Sequence, residues 1–219
     1  GKWLFVGGRT DGLHARQPFS SFPVSENNTT LFVLDIASQQ VWTASVNVLP
    51  VGLQEQLQSA NMNFYQDEDT LCIIGGYGYS ASTNDHITYP YLTTISVSGL
   101  MNAIVNGESI LPFFKQFTDQ RFAVTGGHLG KIGTLYYLVG GHRFDGRYNP
   151  MGNATYVQTY VDGIRKFSLD NSESQPVIGN YLATTDQVNL HRRDYNLLPQ
   201  VFPDGEMGYM ISSGVFQIG

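Results

Sequence analysis

Two short segments concentrate the side chains with the most chemical capacity. His142-Arg143-Phe144-Asp145-Gly146-Arg147-Tyr148 combines an imidazole, guanidiniums, a carboxylate and a phenol, and His191-Arg192-Arg193-Asp194 repeats most of that set. Guanidiniums present paired N–H groups that fit carboxylate, sulfate or phosphate oxygens. Two earlier segments carry a thinner mixture: Arg9, Asp11, His14 and Arg16, then Tyr77, Tyr79, Asp85 and His86. The candidate ligand-binding residues are therefore Arg9, His14, Tyr77, Tyr79, His142, Arg143, Asp145, Arg147, Tyr148, His191, Arg192 and Arg193. Aromatic and Arg-rich loops are overrepresented at binding surfaces. Each candidate also has a plain structural reading. Arg143 with Asp145, and Arg193 with Asp194, can simply pair and tie down a turn. Tyr77 and Tyr79, beside glycines, can cap a channel.

Other chemistries find no pattern. His14, His86, His128, His142 and His191 lie far apart without a short ligand spacing, so no metal site is expected. Neither a Ser-His-Asp set nor a pair of glycosidase carboxylates can be assigned from spacing, so catalytic residues stay unassigned. The one cysteine, Cys72, sits inside an apolar run, which reads as a buried inert thiol and excludes an internal disulfide.

The elements that must position these loops are written in a repeat. Trp3-Leu4-Phe5-Val6-Gly7-Gly8, Leu71-Cys72-Ile73-Ile74-Gly75-Gly76 and Leu135-Tyr136-Tyr137-Leu138-Val139-Gly140-Gly141 each end an apolar strand in two glycines, and Tyr209-Met210-Ile211-Ser212-Ser213-Gly214 is a fading fourth copy. The spacings are 68, 65 and 73 residues, from Gly7 to Gly75 to Gly140 to Ser213. A strand end without side chains permits close backbone approach and tolerates positive φ. None of the pairs opens a helix, so a nucleotide-binding loop is not expected. After each pair comes a long polar loop and a second strand: Thr30–Ile36, Tyr91–Val97 and Ile164–Asp170. A third follows over Gln40–Val46, Phe113–Phe117 and within Val177–Ala183. Another precedes the glycine strand over Asn61–Tyr65, Phe122–Gly126 and Tyr195–Pro199. A short helix is expected around Gly99–Val105, with Ser98 as cap and Gly107 near its end. Four strands per unit, repeated, is the pattern of a propeller blade.

The glycine pairs, the turn at Asp35 and the Trp42 strand resemble the kelch repeat over nearly the whole chain, although only the first unit keeps the Trp. His191-Arg192-Arg193-Asp194-Tyr195-Asn196 is also similar to a segment of kelch-like proteins from Bacteroidetes-type bacteria. The resemblance implies an all-β, kelch-like β-propeller with four-stranded antiparallel blades. Residues 1–219 form one segment, with approximate units 1–50, 58–118, 121–186 and 190–219. Galactose-oxidase-like enzymes share the kelch-type propeller and use copper with a modified Tyr-Cys pair. Cys72 lies on a core strand, so neither copper nor any other cofactor is carried over.

The strands do not balance as a closed ring. The first unit lacks a first strand, the last has only two strands, and three complete blades fall below the roughly 4 to 8 of closed propellers. The expectation is a segment of a larger ring, completed by further chain or a second subunit. Strands hidden in the enlarged loops are the other way to balance the count.

Bulk properties narrow the partners. Thirteen Tyr, 13 Phe and 24 Gly suit strands and turns. A net charge of −6 argues against nucleic acid. No apolar run approaches the ~20 residues of a membrane span. No targeting segment is visible, although one can lie upstream of Gly1, and the expected location is extracellular or periplasmic. The functional expectation is a non-catalytic binding or scaffold module recognising a protein or glycan through its loop face. The alternative is a carbohydrate-active enzyme of the sugar epimerase or oxidase type. A cavity with convergent His, Arg and carboxylates favours the enzyme, and a broad shallow surface the binder. Strand alternation further predicts that Arg143, Asp145, Arg147 and Tyr148 share one face with His191, Arg192 and Arg193.

Overall fold

The apolar strands ending in the second and third glycine pairs become inner strands of antiparallel sheets, and the one ending in the first pair is an edge strand. The computed structural model describes residues 1–216, so residues 217–219 of the last expected unit lie outside the described ones. In chain order the elements are β1 (Lys2–Phe5), β2 (Thr30–Asp35), β3 (Gln40–Ser45), α1 (Val51–Leu57), β4 (Asn63–Asp67), β5 (Thr70–Ile74), β6 (Tyr77–Ser80), β7 (Asp85–Thr88), β8 (Tyr91–Ser96), α2 (Val97–Asn106), β9 (Phe114–Thr118), β10 (His128–Ile132), β11 (Leu135–Val139), β12 (His142–Gly146), β13 (Tyr156–Tyr160), β14 (Gly163–Asp170), β15 (Val177–Thr185), α3 (Gln187–Leu190), β16 (Arg193–Val201) and β17 (Met207–Val215).

The fold is all-β with antiparallel sheets. Four sheets follow one another: β1-β2-β3, β4-β5-β8-β9, β10-β11-β14-β15 and β16-β17. The second and third have the same strand order, and each carries a hairpin between its second and third strands, β6-β7 and β12-β13. The loops after these glycine pairs are thus not irregular. Their Tyr- and Thr-bearing runs pair with each other, as Tyr77 with Thr88 and His142 with Tyr160.

Alternation along β5 explains how the sheets hold together. Ile73 joins an apolar cluster with Leu31 and Val33 of the first sheet and Leu100 of α2. Cys72 and Ile74 face the other way, packing with Leu129, Leu138 and Phe167 of the third sheet. The second sheet is therefore covered on both faces. Ile73, Ile74, Leu138 and Val139 are buried, and Val6 is half-buried. Trp3, Phe5 and Val41 remain exposed on the first sheet, in rows with Leu34 and Phe32.

The glycine pairs are required twice over at the second copy. Gly75 has φ +67, and a Cβ there would lie 1.7 Å from the Val124 carbonyl oxygen, so the neighbouring chain passes where a side chain would stand. The fading fourth copy keeps the backbone without the residue: Ser213 has φ 63 and Gly214 φ 109, against 67 and 97 at Gly75 and Gly76.

Two local expectations need correction. Phe122–Gly126 is not a strand. It is a short 3-10 turn at Gln120–Phe122 and an extended loop, and β10 begins at His128. Phe122 and Val124, both fully buried, alternate like strand residues but instead anchor this loop in the second apolar cluster. The true first strand is joined to β11 by a tight turn at Gly133, φ +58. The expected short helix begins earlier, at Val97: Asp69, not a serine, receives the Val97 and Ser98 amides through its backbone and side-chain oxygens. It ends as expected at Gly107, φ 69. Among the described residues no helix is long and apolar enough to cross a membrane.

Candidate functional site

From the second repeat onward, each repeat brings two kinds of residue to the same place. One directly follows the glycine pair, and the other directly precedes the repeat's first strand. In the second repeat Tyr77 exchanges backbone hydrogen bonds of 2.8 and 2.9 Å with Ala60. In the third, His142 does the same with Thr125, at 3.0 and 2.8 Å. The next residue is left-handed in both junctions, Asn61 at φ 55 and Gly126 at φ 63. The fourth repeat copies the arrangement: Arg193 lies opposite Val215, the residue after Gly214, and Asp194 has φ 56. Successive junctions are also bonded, because the Asn61 carbonyl accepts from the Gly126 amide at 3.1 Å and the Thr125 hydroxyl at 3.0 Å.

These junctions enclose a pocket of about 210 Å³, lined by His14, Phe22, Asn61, Tyr77, Thr125, Gly126, His142, Phe144, Tyr148, Arg193 and Asp194. Its apolar wall is a run of rings in contact. His14 stacks on Phe22 at 5.3 Å and meets the edge of Tyr148 at 5.0 Å. Phe22 and Phe144 each meet Tyr77 edge-on, at 5.3 and 5.1 Å. The Tyr77 hydroxyl donates to the Gly146 carbonyl at 2.7 Å and accepts from the Tyr148 amide at 3.0 Å, fixing the loop that carries Tyr148. Burial pushes the Tyr77 phenol well above its usual range, so it stays protonated. A second cleft of about 550 Å³ adjoins and shares His14, Phe22 and Asn61.

The polar side carries unspent hydrogen-bonding capacity. His142 is only 6% exposed, and its Nδ1 is buried without a hydrogen-bond partner. Burial first, and then the charge of Arg193, depress its protonation to a pKa of about 4, so the ring is neutral near pH 7. The buried Arg193 Nε also lacks a hydrogen-bond partner, although it forms the expected ion pair with Asp194 at 3.7 Å. Arg193 lies over the Phe216 ring, 4.7 Å from its centroid.

Of the residues expected from sequence, the pocket gathers His14, Tyr77, His142, Tyr148 and Arg193. Arg143, Arg147, Arg192 and Arg193, expected on one face, each take a separate partner. Alternation on β12 turns Arg143 and Asp145 away from His142 and Phe144, and they pair at 2.5 Å while Arg143 also donates to Gln120. Arg147 donates to the Ser21 carbonyl at 2.9 Å, holding the segment that carries Phe22. Arg192 donates to the Ser213 carbonyl at 3.1 Å. His191 is bonded to Asp162 at 2.7 Å and stacked on Tyr160 at 4.0 Å, one layer behind His142. Tyr79 donates to Asn84 within its own hairpin. Arg9 is saturated by Asp11, Asn27 and the Pro23 carbonyl and lines only the second cleft.

Sequence reading missed Phe22, Asn61, Thr125, Gly126 and Phe144. Phe144 carried a usable signal, since it sits two residues from His142 on one strand and must share its side. Asn61, Thr125 and Gly126 are unremarkable in composition and matter through their place in the junction. Among the described residues, no group of three or more His, Cys, Asp or Glu is placed to hold a metal ion. No protein-family model matches this chain, and no curated protein matches it.

Proposed function

We propose that the chain is part of a kelch-like β-propeller and binds a glycan, with one sugar ring seated in the pocket between His142 and Arg193. The propeller part is supported by the repeated strand order, the face-to-face packing of successive sheets and the conformation shared by Gly75-Gly76 and Ser213-Gly214. On this reading a further blade, from more chain or a second subunit, covers the exposed face around Trp3 and Phe5.

One observation carries the binding reading: aromatic rings line a single concave site together with His142 and Arg193, each of which has a buried nitrogen without a hydrogen bond. Sugar rings need both, an apolar surface for their C–H face and directed hydrogen bonds for their hydroxyls. At about 210 Å³ the pocket is below the roughly 300–1,000 Å³ of sites for drug-sized ligands, which suits one ring of a longer chain. The test is a glycan array on the purified chain, followed by titration of the hits against Tyr148→Ala. Retention of defined glycans, lost in the variant at unchanged melting temperature, is the expected result. Absence of glycan binding, or binding indifferent to the change, overturns the reading.

The convergence of His14, His142, Arg193 and Asp194 gives a second reading, a sugar-modifying enzyme with His142 as proton acceptor. A base works best when its pKa lies near the working pH, and His142 at about 4 is a weak acceptor at neutrality. Binding without turnover is therefore the leading reading. Conversion of a bound sugar, abolished in His142→Phe, would reverse the order.

A further inference from the structure

We propose that the ring held in this pocket is an acidic sugar, a uronic acid whose carboxylate is received by His142 and Arg193. The inference rests on the glycan reading and adds the charge of the ligand.

The argument is an inventory of donors and acceptors. Arg193 Nε is an N–H donor in every protonation state and cannot accept. It is buried, and no hydrogen bond reaches it. His142 Nδ1 is likewise buried and unbonded in a side chain only 6% exposed. In the tautomer with hydrogen on Nδ1 it is a second donor. Buried donors without partners are rare in folded proteins, and for two in the lining of one pocket a partner from outside is one explanation.

Nearby carboxylates are committed elsewhere. Asp145 serves Arg143, Asp162 serves His191, and Asp11 serves Arg9. Asp194 is the exception, but its side chain is 73% exposed and 3.7 Å from Arg193 Nε, beyond hydrogen-bond distance. Asp194 thus meets Arg193 only as an exposed ion pair without a hydrogen bond, a contact that solvent screens. A ligand carboxylate brings two acceptor oxygens and no donor, which complements these groups. A neutral hydroxymethyl brings a donor as well and no charge.

Gly126, φ +63, borders the imidazole, and a Cβ there would stand a tight 3.2 Å from His142 Cε1. Gly126 is itself a lining residue of the pocket.

The test titrates the full chain by NMR with D-galacturonate and D-glucuronate, each beside its neutral counterpart, D-galactose or D-glucose, at fixed ionic strength. At least one uronate is expected to bind ten-fold or more tighter than its counterpart. Arg193→Ala should erase that preference, and added salt should weaken the uronate alone. The nitrogen resonances of Arg193 Nε and His142 Nδ1 in the unsubstituted protein should move with the uronate and not with the neutral sugar, a readout that stands even if a variant fails to fold. Equal affinity for the members of each pair, or resonances that stay still on uronate binding, overturns the acidic-ligand inference and leaves the glycan reading in place. Failure of all four sugars and of the glycan array to bind overturns both.

Discussion

Tyr77 and His142 hold the same position in successive repeats. Each follows a glycine pair, exchanges two backbone hydrogen bonds with the residue before a left-handed one, and lines the same pocket. One backbone solution therefore delivers a phenol in one repeat and an imidazole in the next. The chemistry of the site is set by which side chain occupies a recurring place, and the scaffold around it need not change.

The scaffold's dependence on Gly75 is directly testable. An alanine there must adopt φ +67 and displace the Val124 carbonyl, 1.7 Å from the new Cβ. Overpacking and left-handed strain together should cost about 3–5 kcal/mol. Gly8→Ala meets open space at φ +89, so about 1–2 kcal/mol is expected. Chemical denaturation of both variants measures the difference, and similar losses would show that the close approach is not what demands glycine.

Tyr77→Phe removes one hydroxyl that serves two backbone groups, the Gly146 carbonyl and the Tyr148 amide. A loss of about 1–3 kcal/mol is expected from the two groups left unpaired. The Tyr148 amide should exchange its hydrogen faster while amides in β5 do not. Unchanged exchange at Tyr148 would mean that this loop is held by other contacts.

Acid should expose the buried imidazole. His142 titrates near pH 4 in the folded protein and near 6.5 when unfolded, so between these values the unfolded chain binds more protons. Stability is then fully present above about pH 6.5, is lost as pH falls towards 4, and is not lost further to this group below 4. The whole contribution is about 3 kcal/mol. His86, depressed mainly by burial, acts with the same sign. His142→Phe should flatten most of the slope of unfolding free energy over this window. A slope equal to that of the unsubstituted protein would place the acid sensitivity elsewhere.

Arg143→Ala is expected to be nearly silent. Its side chain is 47% exposed and its partner Asp145 is 34% exposed, a surface pair worth about 0–1 kcal/mol. Glycan affinity should stay within two-fold, whereas Arg193→Ala loses ten-fold or more on an acidic sugar. Binding that depends on Arg143 instead would move the site to the outward side of β12.

Much of the architecture was legible in the chain. Short continuous apolar runs ending in glycine pairs named β1, β5 and β11, because a buried strand and a close backbone approach each leave a mark on composition. The first strand of the third repeat was misplaced, since Phe122-Ala123-Val124 is a similar buried apolar run that anchors a loop. The hairpins β6-β7 and β12-β13 escaped notice because their Gly, Tyr and polar residues read as loop.

The site divides along a similar line. Composition located His142, Tyr148 and Arg193 as candidates, since side-chain chemistry is a property of the residue itself. Only the tertiary structure separated Arg193, whose Nε is buried without a bonded partner, from Arg143, which is spent on Asp145. Only it brought in Gly126, 16 residues before His142 at the same repeat's junction, and Asn61, 81 residues before it in the preceding repeat, to line one pocket. Whether a guanidinium is satisfied or waiting depends on what other parts of the chain place beside it, and that information is nonlocal.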